Sequence, residues 1–211
     1  MKVKEDFYPA LQEGCFYHIY NRGNNRENIF YTKENYRYFL KKYDEYLTPY
    51  LETYAYCLLP NHFHLLVRVK EAAEIRIPSL QGMVSVESTN VGKMVSEQFR
   101  RFFISYSQSI NKQEARVGSL FQKNFKRKEV KTDSYFTAAV YYIHANPQNH
   151  GICADFREYP HSSYQRILLE KPSKLKKSEV LDWFGGSKGY LAFHGANKPN
   201  KDLEKDFFIE D

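Results

Sequence analysis

Cysteine is scarce in this 211-residue chain: Cys15, Cys57 and Cys153 lie far apart, without C-x-x-C spacing. Neither a disulfide framework nor a thiolate zinc site can be built from them, and a reducing cytoplasm is the expected compartment. Long apolar runs are also missing, so no membrane partner is expected, and Met1-Lys2-Val3-Lys4-Glu5-Asp6 lacks the character of a secretion signal. There is no internal repeat and no low-complexity tract. With 42% hydrophobic residues the chain can bury a real core, which excludes global disorder and points to one domain with appendages.

Acidic residues are what the middle of the chain lacks. Between Val91 and Lys131 ten basic residues face only Glu97, Glu114 and Glu129, a net +7 within a chain of net charge +6. Phe99, Phe102, Phe103, Tyr106, Phe121 and Phe125 are interleaved with them. Cations neutralise phosphates and aromatic faces stack on bases, so the segment suits nucleic acid. Phe99, Phe102, Phe103 and Tyr106 also fit the core side of an amphipathic helix, which is the preferred reading for them. Lys126, Arg127 and Lys128 are the favoured phosphate contacts, with Arg100, Arg101, Lys123 and, more weakly, Arg22 as further candidates.

The most informative stretch is Pro60-Asn61-His62-Phe63-His64-Leu65-Leu66-Val67-Arg68-Val69. It alternates like a strand, so Phe63, Leu65, Val67 and Val69 form a core face while His62, His64, Leu66, Arg68 and Lys70 share the other. Two neighbouring imidazoles opposite the core suit a metal ion, the plainer alternative being two surface histidines. His18, His144, His150 and His161 show no partner at ligand spacing and read as ordinary.

The coarse pattern is a strand over Cys15–Asn21, a turn at Arg22–Asn25, a helix over Thr32–Tyr46 and a strand over Glu52–Leu58. The histidine strand follows, then a loop over Glu71–Asn90 in which Ile75–Ile77 could pair briefly. A helix over Val91–Ile110 and a strand over Leu120–Val130 complete a β-α-β-β-α-β order. This is an α+β, ferredoxin-like antiparallel sheet with both helices on one face, leaving the opposite face free to display His62 and His64. A further helix over Ser134–Asn146, capped by Asp133 or Ser134 and ended by Pro147, precedes an irregular segment, a short helix near Ser178–Phe184 and a charged tail over Lys201–Asp211. The expected division is a domain over 1–147 with an extension over 148–211 packed on it. On the added helix Tyr142 and Asn146 share one flank, with Tyr135 two turns earlier, while Tyr141 points away.

Taken together, these pieces resemble the single-tyrosine HUH transposases, particularly the REP-associated tyrosine transposases. The matching residues are the Pro60–Val67 run, Gly118-Ser119-Leu120-Phe121-Gln122-Lys123-Asn124-Phe125-Lys126, Tyr142-Ile143-His144-Ala145-Asn146-Pro147 and Tyr159-Pro160-His161-Ser162-Ser163-Tyr164. Tyr17-His18-Ile19-Tyr20-Asn21-Arg22-Gly23 and Ile29-Phe30 also match, and the set occurs in family order over roughly residues 15 to 185. Two departures are a longer Glu71–Asn90 loop and Phe121 where the family commonly has tryptophan. The resemblance implies a nuclease fold that cleaves and rejoins single-stranded, hairpin-bearing DNA, possible as a homodimer. By position His62, His64 and Asn146 match its ligands for Mg²⁺ or Mn²⁺, and Tyr142 its nucleophile, forming a 5′-phosphotyrosine. The alternatives are a DNA- or RNA-binding protein that has lost catalysis, and a metal-dependent hydrolase using activated water.

Overall fold

The computed structural model describes residues 8–79, 82–85 and 91–196; the tail expected over 201–211 lies outside them. In chain order the elements are β1 (Phe16–Arg22), α1 (Lys33–Tyr46), β2 (Leu51–Leu59), β3 (His62–Val69), β4 (Arg76–Ser79), β5 (Gly82–Ser85), α2 (Val91–Gln113) and β6 (Lys126–Val130). After these come α3 (Asp133–Asn149), α4 (Tyr164–Leu168), α5 (Lys177–Trp183) and α6 (Ser187–Ala196). The main sheet has the order β2-β3-β1-β6, every neighbouring pair antiparallel. That is the ferredoxin-like arrangement the element order implied. Within the Glu71–Asn90 segment, β4 and β5 pair as a separate hairpin that includes the Ile77↔Val84 partners.

Alternation along the strands sorts the side chains into two cores. Tyr17, Ile19, Leu58, Phe63, Leu65, Val67 and Val69 meet Phe39 and Tyr43 of α1 and Val95, Phe99, Phe102 and Tyr106 of α2. The α2 aromatics are therefore core, with Phe103 only partly buried against it.

The other face is not open as the strand pattern suggested. Ala55, Cys57, Leu59, Leu66 and Val130 pack beneath Phe136, Ala139, Val140 and Ile143 of α3, joined by Phe156, Tyr164, Ile167, Val180 and Tyr190 of the carboxy-terminal segment. The reason lies in the sequence of α3. Eleven consecutive residues from Phe136, Thr137 apart, read Phe-Thr-Ala-Ala-Val-Tyr-Tyr-Ile-His-Ala-Asn, mostly apolar or aromatic all round, and such a helix must be covered on both sides.

Three local expectations change. Thr132, not Asp133 or Ser134, is the N-cap of α3, its hydroxyl accepting from the Tyr135 amide at 3.2 Å. Pro147 does not end the helix, which runs to Asn149; proline's φ is helical, and the cost is one missing N–H near the carboxy end. An expected domain boundary at 147 thus falls inside α3. The last sheet strand begins at Lys126 rather than Leu120, because Leu120–Phe125 is tied to the end of β1 instead: the Asn24 amide donates to Leu120 O and the Gln122 amide to Arg22 O. Among the described residues no helix is long and apolar enough to cross a membrane.

Candidate metal and tyrosine site

The end of β1 and the start of β3 are locked together by the turn that follows β1. At position 23 only glycine fits, since an added Cβ would lie 2.0 Å from the Glu27 carbonyl oxygen. The Gly23 amide donates to Asn61 O at 2.7 Å, which holds Arg22 opposite His62 in the β1–β3 register. Two residues further along, Tyr20 lies opposite His64, and Lys126 of β6 continues that row beyond Tyr20. Directly paired residues share a face, so Arg22, Tyr20, His62, His64, Lys126 and Lys128 all face α3.

Both histidines are buried, His64 completely. Each has its Nδ1 engaged. That of His62 lies 2.6 Å from Asn61 Oδ1, an acceptor only, so His62 carries its proton on Nδ1. The Asn61 amide nitrogen donates to Arg26 O, which fixes the orientation of the amide. His64 Nδ1 lies 2.9 Å from His18 Nε2. Burial holds the His64 imidazole well below its ordinary range, and His18, His62, His150 and Arg22 push it the same way. His18 is lowered to about 3 by burial, with Lys128 adding to it. All the chemistry available to His64 is thus that of a neutral ring.

From the other side, α3 and its C-cap residue His150 bring Tyr142, Asn146 and His150 down one flank at four-residue spacing. The Tyr142 ring stands edge-on to His64 at 5.6 Å between centroids, and the His150 ring edge-on to His62 at 4.9 Å. Asn146, one turn from each, is thereby carried over the histidine pair, whose own centroids are 5.2 Å apart. Its amide nitrogen donates to Tyr142 O at 2.8 Å, which turns Oδ1 away from the helix. Both His64 Nε2 and Asn146 Oδ1 are buried and have no hydrogen-bond partner. Leaving a buried polar atom unsatisfied costs about 1–3 kcal/mol, so two in one place ask for an explanation. A divalent ion fits the donor set of imidazoles and an amide oxygen. Among the described residues no group of three or more His, Cys, Asp and Glu side chains could hold a metal, so the amide would be an indispensable third ligand.

The structure divides the basic candidates. Lys126 and Lys128 flank the histidine face, their ammonium groups 6.0 Å from the Tyr20 ring and 5.8 Å from the Tyr135 ring. Arg127 points through the sheet the other way, donating to Pro9 O and lying 5.0 Å from the Phe125 ring. Arg100 and Arg101 belong to α2, on the far side of the sheet, and both pair with Glu97 at 2.7 and 3.1 Å. Lys123 borders a cleft of about 760 Å³ between α2 and the 118–125 loop, together with Arg100 and Arg127. None of His62, His64, Tyr142 and Asn146 lines that cleft.

Of the four histidines read as ordinary, His18 contacts His64 and His150 contacts His62, whereas the other two have structural contacts: His161 stacks on Tyr36 at 3.6 Å, and His144 bridges Ser163 Oγ at 2.8 Å and His194 Nε2 at 3.1 Å. Period-two spacing along β1 puts His18, Tyr20 and Arg22 on one face. Which strand pairs with them, and in what register, no local pattern states.

No protein-family model matches the chain. It is 28% identical over 139 residues to a Haemophilus influenzae protein named for the REP-associated tyrosine transposases, a match spanning 64% of this chain and 67% of that relative. A solved REP-associated tyrosine transposase bound to a REP hairpin shares the fold, with a TM-score of 0.56 at 17% identity over 81% of this chain and 89% of the other. Both likenesses are to REP-associated tyrosine transposases, the first in sequence and the second in fold.

Proposed function

We propose that the chain cleaves and rejoins single-stranded DNA carrying a hairpin, using Tyr142 as nucleophile and a Mg²⁺ or Mn²⁺ ion held by His62, His64 and Asn146. The observation that carries this reading is the pair of buried, partnerless atoms His64 Nε2 and Asn146 Oδ1, with the Tyr142 ring edge-on to His64. The ion, when bound, would neutralise the non-bridging phosphate oxygens. Neutral ligands leave its whole charge facing the DNA.

Tyr142 Oη would bond to phosphorus as the P–O3′ bond breaks, leaving a 5′-phosphotyrosine and a 3′-hydroxyl on which the phenol's proton ends. The ester bond is conserved in the exchange, so the same hydroxyl can reverse it. Arg22, beside His62, and Lys126 and Lys128, on the β6 side, would hold the backbone. That the related transposase was solved with a REP hairpin makes hairpin-bearing strands the substrates to try first.

Incubating the protein with labelled hairpin strands and Mn²⁺ should give a covalent adduct that is absent with Tyr142→Phe and in EDTA. An adduct that persists in Tyr142→Phe would show that another residue is the nucleophile.

One observation favours a second reading, binding without cleavage: the Tyr142 side chain is only 3% exposed and α3 covers the histidines. On that reading hairpin DNA binds equally in EDTA and with His64→Ala, and no metal elicits an adduct.

A further inference from the structure

His62 and His64 differ in what fixes their tautomers. An amide oxygen can only accept, so Asn61 forces the proton of His62 onto Nδ1 and leaves Nε2 as a lone pair. The partner of His64 is a second imidazole, which can either donate or accept. Both rings are neutral and each carries one proton, so the pair has two arrangements. In the first, His18 Nε2–H donates to His64 Nδ1, and the proton of His64 sits on Nε2, where no cation can bind. In the second, His64 Nδ1–H donates to His18 Nε2, and His64 Nε2 is a bare lone pair.

We propose that His18 is a positioning residue that makes His64 a metal ligand, by accepting its Nδ1 proton across the 2.9 Å contact between β1 and β3. This rests on the metal reading given above. His18 touches neither the ion nor the DNA in this role; it sets the tautomer and the ring orientation of the residue that does. Its own proton then sits on Nδ1. Three features support the assignment. Both rings are completely or almost completely buried, so water cannot substitute as the acceptor. The contact is cross-strand and diagonal, His18 lying opposite Leu66 and therefore two pairs along from His64 on the same face, which fixes it by sheet register rather than by a mobile loop. The ring planes lie within 19° of each other, so neither imidazole can rotate without disturbing its neighbour. Outer partners of metal-bound histidines typically contribute 10- to 100-fold in metal affinity.

Titration calorimetry of Mn²⁺ into the full chain tests it. His18→Phe keeps the volume and removes the acceptor, and should weaken Mn²⁺ binding about 10- to 100-fold with hairpin DNA binding in EDTA unchanged. His18→Gln places a carbonyl oxygen near the position of Nε2 and should restore affinity to within a few-fold of the parent chain. Equal weakening in both variants, or none in His18→Phe, overturns the proposal. His64→Ala separates the two levels. If it binds Mn²⁺ like the parent chain, the metal reading itself fails; if it loses binding while His18→Phe does not, only the role of His18 fails. Should His18→Phe not fold, the long-range ¹H–¹⁵N spectrum of the unmutated, Mg²⁺-loaded protein decides. A proton on His64 Nδ1 upholds the proposal, and one on Nε2 overturns it.

Discussion

At the scale of single residues, two buried polar atoms of the site carry a cost. His64 Nε2 and Asn146 Oδ1 are buried without hydrogen-bond partners, on the face where Ala55, Cys57, Leu59 and Leu66 pack under α3. A ligand that satisfies them only in the folded state must stabilise that state. At a Mn²⁺ concentration 100 times its dissociation constant the gain is about 2.7 kcal/mol. For a chain of this size each kcal/mol raises the melting temperature by roughly 2–4 °C. The thermal midpoint of the parent chain should therefore rise by several degrees with Mn²⁺, and that of His64→Ala should not move. Equal shifts in the two proteins would place the bound ion elsewhere.

Among the elements, α3 and β6 matter most. Phe136 anchors α3 from beneath, fully buried, with its ring 4.2 Å from Trp183 and 5.5 Å from both Phe16 and Tyr54. Phe136→Ala should cost about 3–5 kcal/mol in urea unfolding. Thr132→Ala, which removes only the N-cap acceptor, should cost about 1 kcal/mol, with Thr132→Asp close to the parent chain. The edge strand β6 separates two sets of cations that look alike in the sequence. Replacing Lys126 and Lys128 by alanine should reduce the salt slope of single-strand binding by about 0.7 for each lost phosphate contact. Replacing Arg100 and Arg101 should leave that slope nearly unchanged, because they lie behind the sheet and already face Glu97. Binding isotherms at several salt concentrations distinguish the two outcomes.

Across the whole molecule, buried neutral histidines couple stability to pH. Burial lowers His18 to about 3 and His194 to about 4, and puts His64 and His144 well below the ordinary range. A lowered imidazole means that the unfolded chain binds protons more readily than the folded one. Stability is then complete above about pH 6.5 and is lost as pH falls toward the folded-state values. For His194 the drop from 6.5 to about 4 corresponds to on the order of 3 kcal/mol. Urea midpoints followed by circular dichroism should fall steeply between pH 6.5 and 4.5, and less steeply in His194→Phe. A flat profile would mean that these rings are accessible to water.

The sequence by itself determined the ferredoxin-like order, the α1 and α2 core and the face shared by His62 and His64, because strand alternation and helical spacing are local and repeat every two or 3.6 residues. It also put Tyr142 and Asn146 on one flank of α3, a matter of 100° per residue. Only the tertiary structure decided that α3 closes over the histidines, that His18 and not a water meets His64, and that Arg127 turns away from Lys126 and Lys128. The physical reason is that register and layer packing are set by contacts between residues far apart in the chain. His18 and His64 are 46 positions apart, and nothing in either neighbourhood names the other.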